Sequence, residues 1–261
     1  MIVIKTKQEI AIMREGGVIL ATIMDELRKE VREGVTTKDL DKVSRNLVFK
    51  FGVESAFLGH IDKDDEKNKE KSYPAVLCAS VNNVVVHAVP TDYKLKDGDI
   101  ISLDLGIRYK EFYSDMAITL AVGNVEPEAL RMIKITKKSL KVGLQKLVVG
   151  KTFNEVSGAI QEFVESQGFG VVRELCGHGI GRELHEDPKI ANYWEDGASE
   201  IIKPGMVVCL EPMVTMGDWQ LKKSKDGFGF ETKDGSLACH FEHTIAITEN
   251  GAEILTKLAD E

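Results

Sequence analysis

Residues 36–52 read T-T-K-D-L-D-K-V-S-R-N-L-V-F-K-F-G, and the phrase returns at 152–168 as T-F-N-E-V-S-G-A-I-Q-E-F-V-E-S-Q-G. Thr36 and Asp39 have the spacing of a capping box, and Leu40, Val43, Leu47, Val48 and Phe51 recur at helical intervals before Gly52. In the second copy Thr152, Glu155, Val156, Phe163, Val164 and Gly168 match Thr36, Asp39, Leu40, Leu47, Val48 and Gly52 at a constant offset of 116 residues. Each copy follows a long amphipathic segment. The first starts at a Thr6…Glu9 cap and runs to about Val31, with Ile10, Met13, Ile19, Ile23, Met24 and Leu27 on its inner face; the second runs from about Pro127 to Leu147. Strand-like runs follow in both halves. Two α-then-β halves, roughly 1–122 and 123–261, predict one α+β domain with helices packed on one side of a largely antiparallel sheet. The alternative is a chance likeness between two helical hairpins, which one repeat pair does not exclude.

At 261 residues the chain is long enough to bury a substantial core, and 43% hydrophobic with 29% charged residues describes an ordinary globular protein. A formal charge of −8 argues against a phosphate-backbone ligand, so nucleic acid is not an expected partner. Cys78, Cys176, Cys209 and Cys239 lie far apart without C-x-x-C spacing, which indicates free thiols rather than a structural zinc site or a disulfide framework. The N-terminus lacks a charged-then-apolar signal segment and no run approaches a membrane span, so a cytoplasmic location without membrane binding is expected.

Four acidic residues sit in otherwise apolar runs: Asp104 in I-S-L-D-L-G, Asp115 in F-Y-S-D-M-A-I, Glu211 in V-V-C-L-E-P and Glu242 in H-F-E-H-T-I-A-I. Taken singly, each is more often a solvated strand residue or a salt-bridged core acid. Together they are costly to bury unless a cation is present. With Ile100–Ile107 and Phe112–Val122 as hairpin partners turning at Tyr109 and Lys110, Asp104 and Asp115 would face each other directly, a like-charge conflict that a divalent cation removes. Glu211, stopped by Pro212, ends a buried strand where a side chain can meet a cavity. The segment Cys176–Pro188, C-G-H-G-I-G-R-E-L-H-E-D-P, puts His178 and His185 on a glycine-rich turn, with His178 free to approach a metal or to be a plain loop residue. Four carboxylates and one imidazole suit a two-metal hydrolytic centre.

At these residues the chain resembles the type I methionine aminopeptidases. The likeness runs from I-K-T-K-Q-E-I-A-I-M-R-E-G-G through G-V-T-T and A-F-L-G to E-H-T-I-A-I-T-E-N-G-A-E-I-L-T. The resemblance implies a single catalytic domain with the pita-bread fold and a dinuclear site between its pseudo-symmetric halves. It implies that Asp104 chelates one metal, that His178 and Glu211 hold the other, and that Asp115 and Glu242 bridge both. The metals would be two divalent ions, Co²⁺, Mn²⁺, Fe²⁺ or Zn²⁺, acting on a water that attacks the scissile carbonyl. Glu211 would pass the proton of that water to the leaving amine, and His185 and His87 would contact the scissile amide. Phe57, Tyr73, Cys78, Phe228 and His185 would line the pocket for the substrate side chain, with His60 at its edge; Phe57 and Cys78 taken singly could equally be core. The expected substrates are N-terminal Met peptides and nascent chains with a small second residue, met near the ribosome by a monomeric enzyme.

The chain departs from the family pattern in several places. A charged insertion, Ile61 to Lys71, replaces a short link and is expected to be a solvated, mobile loop. His60 stands where a tyrosine is common, Ala88 replaces the glycine of H-G-x-P before Val89 and Pro90, and Phe228 replaces a frequent tryptophan. His240 takes the glutamine position of Q-x-E-H-T, where it could tune the surroundings of the metal ligands. An X-Pro aminopeptidase or prolidase-like enzyme shares all five ligands and is the alternative; the G-H-G-I-G-R-E-L-H-E-D-P spacing and the want of a long N-terminal domain favour the methionine enzyme. A non-catalytic peptide-binding member of the same fold is a third reading, disfavoured because all five ligand positions are kept.

Overall fold

The computed structural model describes residues 1–61 and 71–261; the charged insertion from Ile61 to Lys71 lies outside the described residues except at its two ends. Helices α1 (Lys7–Leu27) and α2 (Thr37–Lys50) precede strands β1 (Glu54–Ser55), β2 (Cys78–Val81), β3 (Val84–Val86), β4 (Ile100–Tyr109) and β5 (Phe112–Ala121). Helices α3 (Pro127–Lys146) and α4 (Phe153–Ser166) then precede β6 (Gly170–Val171), β7 (Cys176–Gly179), β8 (Glu186–Ala191), β9 (Val207–Leu210) and β10 (Met213–Thr215). The chain closes with β11 (Leu221–Lys223), β12 (Phe230–Thr232), β13 (Ala238–His240), β14 (Glu242–Thr248) and β15 (Gly251–Ile254).

The repeated phrase forms a helix in both places for the same local reasons. Thr36 accepts from the Asp39 amide at 3.0 Å while the Asp39 carboxylate reaches back to the Thr36 amide, and the Glu155 carboxylate accepts from the Thr152 amide at 2.9 Å. Gly52 and Gly168 end the two helices at φ +65° and +82°, a left-handed step that glycine takes without steric cost. Each N-cap threonine also makes an isolated antiparallel bridge, Thr36 to Lys94 and Thr152 to Ile201, so the likeness extends to how each helix is tied down. The first amphipathic segment is shorter than expected: α1 ends at Leu27 and a 3₁₀ turn carries the chain to Glu30.

Among the described residues, nine strands form one sheet with the order β1-β4-β5-β14-β9-β7-β8, with β2 beside β4 and β15 beside β14, all antiparallel. Strand alternation divides its faces. Leu103, Leu105 and Ile107 of β4, Met116 and Ile118 of β5, Leu210 of β9 and Ile245 of β14 join the core formed with Leu20, Ile23, Met24 and Leu27 of α1. Burying each such side chain stabilises the fold by about 1.5–3 kcal/mol. The opposite face carries Asp104, Gly106 and Asp115. Two small sheets, β13-β10-β6 and β11-β12-β3, stand beside it.

The β4–β5 register differs from the expected one. Asp104 faces Ala117 and Asp115 faces Gly106, so the two carboxylates are diagonal neighbours, not direct partners. The turn is Lys110-Glu111, both residues at positive φ (44° and 73°), which shifts the pairing by two and leaves both acids on the same face.

Candidate active site

Five neighbouring strands in sheet order, β4, β5, β14, β9 and β7, each bring one donor to the same face: Asp104, Asp115, Glu242, Glu211 and His178. Glu242 opens β14 opposite Ala117, and Glu211 follows the last residue of β9 instead of occupying it. His178 lies within β7, paired with Cys209, and not on a turn. The glycines around it serve close strand packing: a Cβ at Gly177 would run into the Cys209 carbonyl, and one at Gly179 into the Asp187 carbonyl. Gly106 has a comparable role, since a Cβ there would stand 2.8 Å from Ala56 and 2.9 Å from Phe57 beside the Asp115 carboxylate.

Three overlapping donor groups have ligand atoms within 4.8 Å of one another: Asp104 with Asp115 and Glu242, Glu211 with His240 and Glu242, and His178 with Cys209 and Glu242. Glu242 belongs to all three. Asp104 Oδ1, Asp115 Oδ1 and Glu242 Oε1 are buried without a hydrogen-bond partner. Burial first, then neighbouring anions, raises the carboxyls of Asp104, Glu211 and Glu242 well above the usual range, and burial takes Asp115 up to about 7. Four carboxyls crowded together, three of them with an orphaned buried oxygen, are a high-energy cluster unless cations lie among them. The residues therefore fit a metal centre, and the hard-oxygen donors with one imidazole suit divalent cations that accept both.

His178 Nδ1 is 2.8 Å from the Gly179 carbonyl, which can only accept, so Nδ1 carries the proton. That leaves the Nε2 lone pair 3.5 Å from Glu211 Oε1, and burial, reinforced by His185, pushes the imidazole pKa down to about 3. A neutral nitrogen facing a carboxylate oxygen is the arrangement a cation between them stabilises.

A cavity of about 780 Å³ opens over these donors. Its lining takes in every residue expected around the substrate: Phe57, His60, Tyr73, Cys78, His87, His185 and Phe228. Tyr73 meets Phe57 and Phe228 edge-on, with ring centroids 6.4 and 5.5 Å apart, and its hydroxyl donates to the Ala88 carbonyl at 2.8 Å. Cys78 pairs with Asp104 across β2 and β4, which sets its thiol next to the donors. The His185 ring lies 4.5 Å from that of His178 and 5.4 Å from that of His60. His87 follows β3 at φ 60°, a left-handed position uncommon for a side-chain-bearing residue, and its ring is 5.9 Å from that of Phe230. Cys209 and His240 are donor-group members that sequence reasoning did not place among the ligands. Cys209 gave no signal beyond its position two residues before Glu211; His240 stood out only as a departure from the family's glutamine.

Fold and site together define a metallopeptidase. The model of metallopeptidase family M24 matches residues 11–249, and the chain belongs to that family. The methionine aminopeptidase of Clostridium perfringens is 43% identical over 256 residues, covering 98% of this chain and 99% of its own. The crystal structure of a methionine aminopeptidase from Thermotoga maritima aligns with a TM-score of 0.90 at 41% identity, over 98% of this chain and 100% of that one. The prolidase from Pyrococcus furiosus shares the fold at a TM-score of 0.73 and 24% identity, over 97% of this chain and 65% of that one. The fold is the pita-bread fold of this family. Among the described residues no helix is long and apolar enough to cross a membrane.

Proposed function

We propose that the chain is a methionyl aminopeptidase that hydrolyses the N-terminal methionine from nascent proteins and peptides with a small second residue. The observation that carries this is the convergence of Asp104, Asp115, Glu242, Glu211 and His178 from five adjacent strands, in a chain 43% identical to a methionine aminopeptidase. Two divalent cations would be held here, one by Asp104, the other by His178 and Glu211, with Asp115 and Glu242 available to both. Membership of Glu242 in every donor group supports its bridging role. When bound, the cations supply Lewis acidity to the scissile carbonyl and lower the pKa of the attacking water; the donor set accepts Mn²⁺, Fe²⁺, Co²⁺ and Zn²⁺.

The chain's own groups do the rest. Glu211 takes a proton from the attacking water and delivers it to the leaving amine. His185 and His87, both on the cavity wall, hydrogen-bond the scissile amide and stabilise the tetrahedral oxyanion or the leaving group. The substrate's free amine enters the cleft among four carboxylates, which confines cleavage to the first residue. Phe57, Tyr73, Cys78 and Phe228 enclose the methionine side chain, a soft thioether against aromatic rings and a thiol, with His60 and His185 at the edge. The donor set is complete within one chain, which supports a monomer. A nascent-chain substrate supports a cytoplasmic location near the ribosome.

The test is free methionine released from Met-Ala-Ser by Mn²⁺-loaded protein, beside a Glu211→Ala variant and an X-Pro peptide. Release by the wild type, reduced at least about 100-fold in the variant, is expected. Equal release by both removes Glu211 from the mechanism. Cleavage of the X-Pro peptide alone makes the enzyme prolidase-like, and an unchanged peptide pool with Mn²⁺, Co²⁺ and Fe²⁺ makes it a binding protein.

A further inference from the structure

His240 closes the far side of the donor cluster from a different sheet. It ends β13, which pairs with β10 so that His240 faces Met213. Its backbone is pinned from both directions: the amide donates to Thr119 Oγ1 at 3.0 Å, and the carbonyl accepts from the same hydroxyl at 2.8 Å. The residue is 1% exposed, and neither ring nitrogen has a hydrogen-bond partner. Nε2 points between two acids, 3.6 Å from Glu211 Oε2 and 3.8 Å from Glu242 Oε2.

Those distances decide between two roles. A ring N–H donating to a carboxylate closes to about 2.7–3.2 Å on one oxygen. Here the nitrogen stands almost equally far from two, beyond hydrogen-bonding range of either. Donors sharing one cation at about 2.0–2.2 Å each lie roughly 3–3.6 Å from one another, so the spacing is close to that of a shared ligand sphere. The Glu211 carboxylate is then flanked by an imidazole on each oxygen, His178 at Oε1 and His240 at Oε2. The Nδ1 of His178 is committed to a carbonyl, whereas no such bond fixes the tautomer of His240, so its Nε2 can present a lone pair.

We propose that His240 Nε2 is a sixth protein ligand of the metal centre, shared with Glu211 and Glu242 on one cation. This rests on the metallopeptidase reading of the site, and it makes the centre richer in nitrogen than five ligands allow.

The experiment counts imidazoles by X-ray absorption at the Co edge on protein loaded with two equivalents of Co²⁺. Two imidazoles per metal pair are expected in the wild type, and one in each of His240→Gln and His178→Gln. In titration calorimetry His240→Gln should weaken one equivalent of Co²⁺ by about 10-fold or more. A single imidazole per metal pair in the wild type, falling to none in His178→Gln, overturns the inference and leaves the aminopeptidase reading intact. Protein that retains no Co²⁺ overturns both. Should His240→Gln fail to fold, the wild-type and His178→Gln spectra still decide.

Discussion

Thr244 is the residue whose loss should most sharply separate the fold from its donor cluster. Backbone pairing between β5 and β14 covers Glu242 with Ala117 and His243 with Met116. At the next step the Thr244 hydroxyl takes over, accepting from the Asp115 amide at 2.9 Å and donating to the Asp115 carbonyl at 2.8 Å. Thr244 is fully buried. Thr244→Val keeps the shape and removes the hydroxyl, leaving a buried amide and a buried carbonyl unmet at about 1–3 kcal/mol each. The added methyl returns about 1 kcal/mol, so the net loss should be about 1–5 kcal/mol. For a chain of this size that lowers the melting temperature by roughly 2–10 °C. Because Asp115 sits on the freed backbone, metal affinity should fall as well. Thr244→Ser keeps both hydrogen bonds and should lose only the share of one methyl, about 1 kcal/mol. Calorimetric melting of metal-free protein and Co²⁺ titration of all three forms are the assays. A Thr244→Val protein that melts within a degree of wild type, or a Ser variant as damaged as the Val one, refutes the reasoning.

Burial holds the Asp115 carboxyl at about 7 against an ordinary 3.8, so the folded, metal-free protein keeps a proton that the unfolded chain loses. Its contribution is therefore fully present below about pH 4 and lost as the pH rises through 7; urea midpoints of metal-free protein should fall across that window, and Mn²⁺ should restore them at pH 7.5. His185→Ala and His87→Ala should each lower kcat by about 10²–10³ with an unchanged melting temperature, measured on Met-Ala-Ser. Lys5→Met should destabilise by about 1.5–3 kcal/mol in urea unfolding, since Lys5 and Glu186 form a 2.7 Å ion pair with side chains only 3% and 8% exposed and the variant leaves the carboxylate only the amides of Arg182 and Glu183.

Much of the scaffold could be read from the chain before any coordinates. The repeat at 36–52 and 152–168 announced itself because its caps, apolar spacing and closing glycines are local signals, and local signals govern where helices start and stop. The β4–β5 register departs from the expected one because Lys110 and Glu111 adopt left-handed conformations without the asparagine or glycine that usually marks such a turn. The slip was even-numbered, so the faces survived it and Asp104 and Asp115 still meet. The glycines flanking His178 suggest a turn in the sequence, yet they serve to let β9 and the Asp187 carbonyl approach. Convergence of the five donors needs the sheet order, with β5 beside β14, and that pairing joins residues more than a hundred positions apart. The pocket was legible only through family likeness, because Phe57, Cys78, His185 and Phe228 come from separate segments with no shared periodicity.

Diffraction data at the Mn absorption edge, from crystals of the Mn²⁺-loaded protein, address the central claim most directly. Two anomalous peaks are expected in the cleft, each about 2.0–2.3 Å from its oxygen donors among Asp104, Asp115, Glu211 and Glu242, and one of them at that distance from His178 Nε2. Peaks away from these side chains, or none in crystals of protein that still releases methionine, contradict it.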